Sequence, residues 1–415
     1  MGAHDDLLRR HQPQLRYDSN EQYFADDAAQ WTDNPGNELR RADTRDGRGE
    51  LIAAAVPAEG AQRLTLGFLG PEAYGDGSPV QDGDYIGDRG RDYREQYVRL
   101  RRDRPELRNK MYGHAVESAG RVWLQYWFWY FYNDYSLALG AGRHEGDWEM
   151  VQLRLLDGRP DLAVYAQHSY AERRPWTDVE RAPDRTDSPV VYVARGSHAS
   201  YFERGFHETE AWYDLADGKR ATPWLALEIV EHDAPPWVRW PGRWGDTRPS
   251  LGAVHQSSPV GPGRKGHWRR PERLLEDARR PARPAAPAAP QVDVRREAGS
   301  LRLAFDFSRH PGDAPRALVV TVNSRDEPGV PPRAYTFGVE EAVRGTLSTR
   351  IPVDPAKHYD IYTSTTSGDP PVPSESRLTE LDPVGARRPR AALALGLLRD
   401  LGRGVAWLRG QLRRR

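Results

Sequence analysis

No cysteine occurs among the 415 residues of this chain. That absence excludes disulfides, thiol nucleophiles, iron–sulfur clusters and cysteine-bound zinc, and it leaves the compartment open, because a large secreted protein can do without disulfides. Long apolar runs are also missing. The opening MGAHDDLLRRHQPQLRYD holds no stretch of signal length, and nowhere do eighteen apolar residues run together. A cytoplasmic protein, able to sit peripherally on a membrane, is the expectation. Lysine is scarce, four residues against 56 arginines, a bias of the kind that genome base composition produces. It supports no nucleic-acid partner. Net charge is zero, but residues 386–415 carry nine arginines and one aspartate, plus eight, which leaves minus eight on the rest.

What is present divides the chain into parts. This length suggests two domains with sizeable cores, and twelve of the thirteen tryptophans precede residue 270. Residues 278–290, ARRPARPAAPAAP, have nothing to bury and read as a linker in extended polyproline geometry. Before it, residues 1–277 read as an all-β sandwich or jelly roll. Residues 1–50 are expected to wrap it as loops. Strands are expected at 51–55, 64–69, 93–100, 121–132, 147–156, 161–169, 189–195 and 225–231. The nearly continuous aromatic run 121–132 reads as a strand buried on both faces. After the linker, short alternating segments over 291–383 fit a small immunoglobulin-like or fibronectin-type sandwich, a spacer or adhesion module.

The chemistry concentrates in Gly142-Arg143-His144-Glu145-Gly146-Asp147-Trp148-Glu149. On a strand, Asp147, Glu149, Val151 and Leu153 share one face while Trp148 and Met150 take the other. Two carboxylates on one face repel unless a cation, a proton or an arginine lies between them. His144 sits three residues upstream at the turn. Asp134, after the aromatic run, can approach if the Gly140-Ala141-Gly142 stretch bends back. Asp157-Gly158 reads as a hairpin turn, and folding back across it is expected to put His168 opposite Asp147. Asp134, His144, Asp147 and Glu149 would suit magnesium, calcium or manganese, whereas a set enriched by His168 or His198 would suit zinc. Pairing of these carboxylates with arginines is the competing reading.

Arg195-Gly196-Ser197-His198-Ala199-Ser200-Tyr201 falls where a strand ends in a glycine turn, which makes Arg195, Ser197 and His198 candidates to face a pocket. A serine nucleophile is disfavoured, since G-x-S-x-G is absent and adjacent side chains diverge on an extended chain. His207 and Glu208 are weaker candidates. Asp76, Asp82, Asp84 and Asp88 lie in a loop that lacks the calcium-loop pattern and reads as solvated. Trp237, Trp240 and Trp244 lie among prolines and glycines. Exposed, Trp240 and Trp244 would meet a sugar or lipid headgroup; buried, they would plug the sandwich.

Residues 126–155, YWFWYFYNDYSLALGAGRHEGDWEMVQLRL, and 190–201, VVYVARGSHASY, resemble the vacuolar protein sorting-associated protein 62 family. So do Pro13-Gln14-Leu15-Arg16-Tyr17-Asp18 with Glu21 and Phe24, and Trp240-Pro241-Gly242-Arg243-Trp244-Gly245. That family is distantly similar to the necrosis-inducing, ethylene-inducing-peptide-like toxins, whose heptapeptide G-H-R-H-D-W-E coordinates a divalent cation together with an upstream aspartate. The resemblance carries their ligands onto His144, Asp147, Glu149 and Asp134, but the second histidine of the heptapeptide is replaced here by Gly146.

Within 384–415, Ala394, Leu397, Leu398, Leu401, Val405, Leu408 and Leu412 recur at three- and four-residue steps among arginines, one face of an amphipathic helix. Leu397, Leu401, Trp407 and Leu408 would contact an anionic membrane or glycolipid surface, with a partner protein or self-docking as alternatives. The expected function is divalent-cation-dependent recognition of a polar lipid headgroup or glycan at a membrane. The rivals are a hydrolase using metal-activated water with His198 or His168 as proton shuttle, and a purely structural cation.

Overall fold

The nearly continuous aromatic and β-branched run at 121–133 and the alternating segment at 144–156 make the spine of the first domain. In the computed structural model they form strands Arg121–Asn133 and His144–Leu156, paired antiparallel from Val122 opposite Leu155 to Asn133 opposite His144. The structure describes residues 4–42, 49–90, 92–135, 143–168, 170–208, 213–246, 258–276, 292–297, 299–306, 315–327, 332–338, 346–367, 372–373 and 377–381. The linker 278–290 and the tail, with Leu397, Leu401, Trp407 and Leu408, lie outside these described residues. Among the described residues no helix is long and apolar enough to cross a membrane.

The two spine strands sit in a six-stranded sheet. Its order is Tyr170–Pro175, Arg159–Gln167, His144–Leu156, Arg121–Asn133, Lys110–Ser118, Ala226–Ile229, antiparallel throughout except for the last pair. Asp157 and Gly158 take φ of 50° and 74°, which closes the expected hairpin. Residues directly opposite each other share a face. Tyr126, Phe128 and Tyr130 therefore stand with Val151, Glu149 and Asp147, and Trp127 and Trp129 stand with Met150 and Trp148 on the other side.

The tryptophan side is closed by the late segment. Trp244 lies 4.9 Å from Trp129 and 5.5 Å from Trp148, and Trp268 lies 5.7 Å from Trp127. Trp240 and Trp244 are 0% exposed, so they plug the core and present no surface to a ligand. The opposite side is covered by a second sheet in which Gln14–Tyr17 pairs parallel with Arg185–Val193. Tyr165 Oη donates to the Val190 carbonyl at 2.9 Å and its ring stacks on Phe202, joining the two layers of a β-sandwich.

Three local expectations fail. Residues 64–69 do not form a strand: Leu66–Phe68 make a short 3-10 turn, capped where Thr65 Oγ1 accepts from the Phe68 N–H at 3.2 Å. The first fifty residues are not merely loops: Leu15 and Tyr17 alternate into the core, and that burial pulls the segment into the sheet. Residues 93–100 belong to an α-helix, Tyr93–Asp103, whose Tyr93, Gln96, Tyr97 and Leu100 follow the helical spacing and turn inward. Its tyrosines and valine favour strands in isolation, but the i, i+3, i+4, i+7 burial wins.

The chain divides into two compact units, Met1–Ser136, Gly140–Phe202 and Gly218–Ala282 in the first, Leu137–Leu139, Glu203–Asp217 and Arg283–Arg415 in the second. In the second, a three-stranded sheet (Val292–Glu297, Ser300–Asp306, Thr346–Pro352) supplies Leu301, Leu303 and Ile351 to one core. A five-stranded sheet (Arg333–Gly338, Pro315–Ser324, Tyr359–Ser367, Val372–Pro373, Arg377–Leu381) supplies Leu318, Val320 and Ile361 to that same core. The molecule is all-β in class, with few helices.

Candidate functional site

The site grows from the first turn of the acidic strand. His144 is buried, and its Nδ1 donates to the Gly146 carbonyl at 2.7 Å. That bond fixes the tautomer and leaves the lone pair on Nε2, which faces Asp147 Oδ1 at 4.0 Å. Burial holds this imidazole below the usual histidine range, so a lone pair confronts a carboxylate oxygen. The other oxygen of Asp147 is committed: Oδ2 accepts from His198 Nδ1 at 2.9 Å and from Asn133 Nδ2 at 3.2 Å.

His198 arrives from the turn after Arg185–Val193. Its φ of 56° is left-handed backbone, sparsely populated for a histidine, and it aims the ring inward. Gly196, at φ 75°, lets the turn press against the Asp134 backbone, where a Cβ would stand 3.0 Å from the Asp134 carbonyl. The His198 ring stacks on Tyr130 at 3.9 Å and presents Nε2 to Glu21 Oε1 at 3.6 Å. Burial opposes its charge, but Glu21 and Asp147 on either side push it up to about 9. His198 is thus a buried imidazolium between two carboxylates. Glu21 is anchored by the backbone N–H groups of Tyr23 at 2.8 Å and Gly196 at 2.7 Å. Burial works against its ionised form, but His198 keeps it below the usual carboxylate range.

Glu149 shares the face with Asp147. Burial and the Asp147 charge push it up to about 8, so with no cation beside it the side chain carries a proton at neutral pH. Asp134 takes the arginine alternative, with Arg143 Nε 2.9 Å from Oδ1 and both side chains more than a third exposed. Among the described residues no three His, Asp or Glu side chains stand close enough to hold an ion as they are.

Other candidates fall into place around this cluster. His168 is not opposite Asp147: the paired register ends at Val151 with Tyr165, and His168 occupies the exposed turn beyond, at φ 49° and 5.2 Å from the Tyr135 ring. Ser197 is buried, and its carbonyl accepts from Asn133 Nδ2 at 3.5 Å. Arg195 is half-buried and favours the charge of Asp134. Asp84 is fully buried, bound by Tyr74 Oη and Arg41 Nη1, which corrects the solvated reading of its loop. His207 belongs to the second unit.

Gly146 explains the departure from the toxin heptapeptide. At φ 57°, any Cβ there would lie 2.2 Å from the Trp244 carbonyl oxygen and 2.4 Å from Trp129 Cη2. The tryptophan core has taken the room a histidine would need. Glu21 and Asn133 carry no spacing signal that marks them as site residues, although Glu21 stands in the opening motif that carries the family resemblance.

No family model matches the chain. Among curated proteins, the putative vacuolar protein sorting-associated protein TDA6 of Saccharomyces cerevisiae is 25% identical over 174 residues, 32% of this chain and 37% of that protein. Vacuolar protein sorting-associated protein 62 of the same yeast is 25% identical over 171 residues, 32% of this chain and 36% of that protein. The chain spans little more than a third of the length of these curated relatives. Among solved structures, necrosis and ethylene inducing protein 2 from the causal agent of cocoa's witches' broom disease matches 55% of this chain and 74% of its own, at 13% identity and a TM-score of 0.26. NLPPya in complex with glucosamine matches the same shares at 12% identity and a TM-score of 0.27. The chain is distantly similar to vacuolar protein sorting-associated protein 62, as its separated motifs imply.

Proposed function

We propose that the first unit is a binding domain that takes a divalent cation between His144 and Asp147 and uses it to recognise an oxygen-rich headgroup or glycan at a membrane surface. One observation carries the reading: His144 Nε2 and Asp147 Oδ1 face each other at 4.0 Å while Nδ1 and Oδ2 are committed elsewhere. A buried lone pair aimed at a buried carboxylate oxygen is unfavourable unless a positive charge joins them. His144 and Asp147 fit such an ion. Glu149 on the same face and Asp134 at the rim are the further candidate ligands, Asp134 by exchanging Arg143 for the ion. Carboxylates in the majority favour magnesium, calcium or manganese over zinc. When bound, the ion supplies a hard Lewis acid for ligand oxygens. Arg143 and Arg195 at the rim suit a headgroup bearing negative charge.

The names of the yeast relatives fit a setting in membrane traffic, and the basic amphipathic tail, with Leu397, Leu401, Trp407 and Leu408, would add surface attachment. The strands of the second unit then serve as a small immunoglobulin-like spacer that precedes the tail in the sequence. A hydrolase reading is weaker, because His198 lies 2.9 Å from Asp147 and 3.6 Å from Glu21, two carboxylates that favour its protonated form over the free base that a proton acceptor must be.

Vesicle flotation and glycan-array binding, each with and without chelator, test this reading on parent protein, Asp147→Ala and a 386–415 deletion. Cation-dependent binding lost in Asp147→Ala is the expected result. Equal binding by parent and Asp147→Ala would remove the cation from the function, and undiminished flotation without 386–415 would remove the tail.

A further inference from the structure

Away from the carboxylate cluster, the first unit carries a cavity of about 520 Å³. Small-molecule pockets occupy roughly 300–1,000 Å³, so this one has room for a headgroup-sized ligand. Its walls are the loop at Pro71 and Glu72, the Arg239 side chain, and the segment from Gly263 to Arg273. Six cationic residues line it, Arg239, Arg264, Lys265, Arg269, Arg270 and Arg273, against one carboxylate, Glu72.

Neutralisation from within is incomplete. Asp233 takes Arg239 at 2.7 Å and stands 3.8 Å from Arg269, while Lys265 Nζ donates to the Trp148 carbonyl at 2.8 Å. Among the described residues, Arg264, Arg270 and Arg273 have no carboxylate within ion-pair distance, and all three are exposed. Like charges gathered around one hollow raise the free energy of the empty state, and an anion relieves it.

The scaffold under these arginines is fixed. Trp268 is 0% exposed, its indole N–H donates to the His232 carbonyl at 3.2 Å, and successive backbone bonds close the turns at Arg264, Lys265 and Trp268. Two glycines set the spacing. A Cβ on Gly263 would fall 2.8 Å from the Val238 carbonyl oxygen, and one on Gly266 would fall 3.0 Å from Arg273 Nη1. Without side chains at these points, the segment lies close against Arg239 and Arg273.

We infer that this cavity binds a small ligand carrying several phosphate groups, presented either free or as a lipid headgroup. A single carboxylate would leave most of the charge unanswered, whereas clustered phosphates match both the number of cations and the forked geometry of guanidinium groups. The site is separate from that of the proposed cation, although Lys265 on its wall also favours the charges of Asp147 and Glu149. It lies on the tryptophan side of the six-stranded sheet, where Lys265 meets Trp148 and Trp127, and Asp147 belongs to the other side.

The test is calorimetric titration of the full chain with inorganic tripolyphosphate in the presence of a chelator. Saturable binding is expected, weakened at least tenfold by combined Arg270→Glu and Arg273→Glu and not weakened by Asp147→Asn. Both arginines are exposed, so near-ultraviolet circular dichroism should match the parent; a milder Arg270→Gln, Arg273→Gln pair should weaken binding to a smaller degree. Flotation then distinguishes the sources. Preference for vesicles containing phosphatidylinositol bisphosphate over charge-matched phosphatidylserine vesicles, competed by tripolyphosphate, assigns a lipid headgroup; tripolyphosphate binding without that preference assigns a free ligand. No saturable binding, undiminished binding by the charge-reversed pair, or an affinity for RNA that grows with its length would overturn the inference, the last by making the arginines a nucleic-acid surface.

Discussion

The two faces of the six-stranded sheet are built from alternate residues of the same two strands, and they solve burial in opposite ways. On one face Trp127, Trp129 and Trp148 meet Trp237, Trp244 and Trp268, and apolar area does the stabilising. On the other, the aromatic pattern gives way at the strand ends to Asp147, Glu149 and His198, with Glu21 from far away in sequence. A buried charge cluster adds little net stability over an apolar replacement, and breaking it is costly. On the function we propose, the acidic end is kept for what it can bind, at the expense of apolar packing. The contrast also shows how the faces constrain each other, because the tryptophan core fills the space beside Gly146 and so removes one histidine from the motif.

The largest expected effect is on the tryptophan face. Trp148→Ala empties a site that is 1% exposed and should cost about 5 kcal/mol in chemical denaturation. A loss below about 2 kcal/mol would mean that the neighbouring rings collapse into the space. Next, His198→Ala leaves Glu21 and Asp147 buried without their shared cation and should cost about 4 kcal/mol. Added calcium or magnesium should restore part of that loss through Asp147 if the cation reading holds.

Acid should separate the faces further. Burial pushes His114, which stacks on Trp268 at 3.8 Å, down to about 4. The folded state rejects a proton that the unfolded chain accepts below its ordinary value near 6.5, so stability falls as pH drops from about 6.5 towards 4. The loss attributable to this ring is about 3 kcal/mol, and His114→Phe should flatten that part of the profile. The smallest effect is at the rim: Asp134→Asn removes an exposed pair with Arg143 and should change stability by less than about 1 kcal/mol.

Much of this contrast was legible in the chain, and the failures have physical causes. The aromatic run locates a strand at 121–132 and alternation one at 147–156, each within three residues of the observed Arg121–Asn133 and His144–Leu156, and Asp157-Gly158 locates the hairpin, because these signals are local. His168 escapes the hairpin argument because it lies past the paired register, in a turn whose backbone alternation cannot describe. Residues 93–100 look like a strand because their tyrosines and valine favour extended chain, whereas the helical spacing of Tyr93, Gln96, Tyr97 and Leu100 decides for the helix Tyr93–Asp103. Glu21 could not be found by spacing at all. Its approach to His198 depends on Gln14–Tyr17 pairing with Arg185–Val193, a contact between segments about 175 residues apart, and only the opening motif hinted at it.

The most direct measurement is metal content, by mass spectrometry, of protein equilibrated with magnesium, calcium or manganese and freed of unbound ion. The parent should retain about one ion per chain, and His144→Ala and Asp147→Asn should each fall to background while keeping a folded spectrum. Equal retention by all three proteins, or none by the parent, would contradict a cation held between His144 and Asp147.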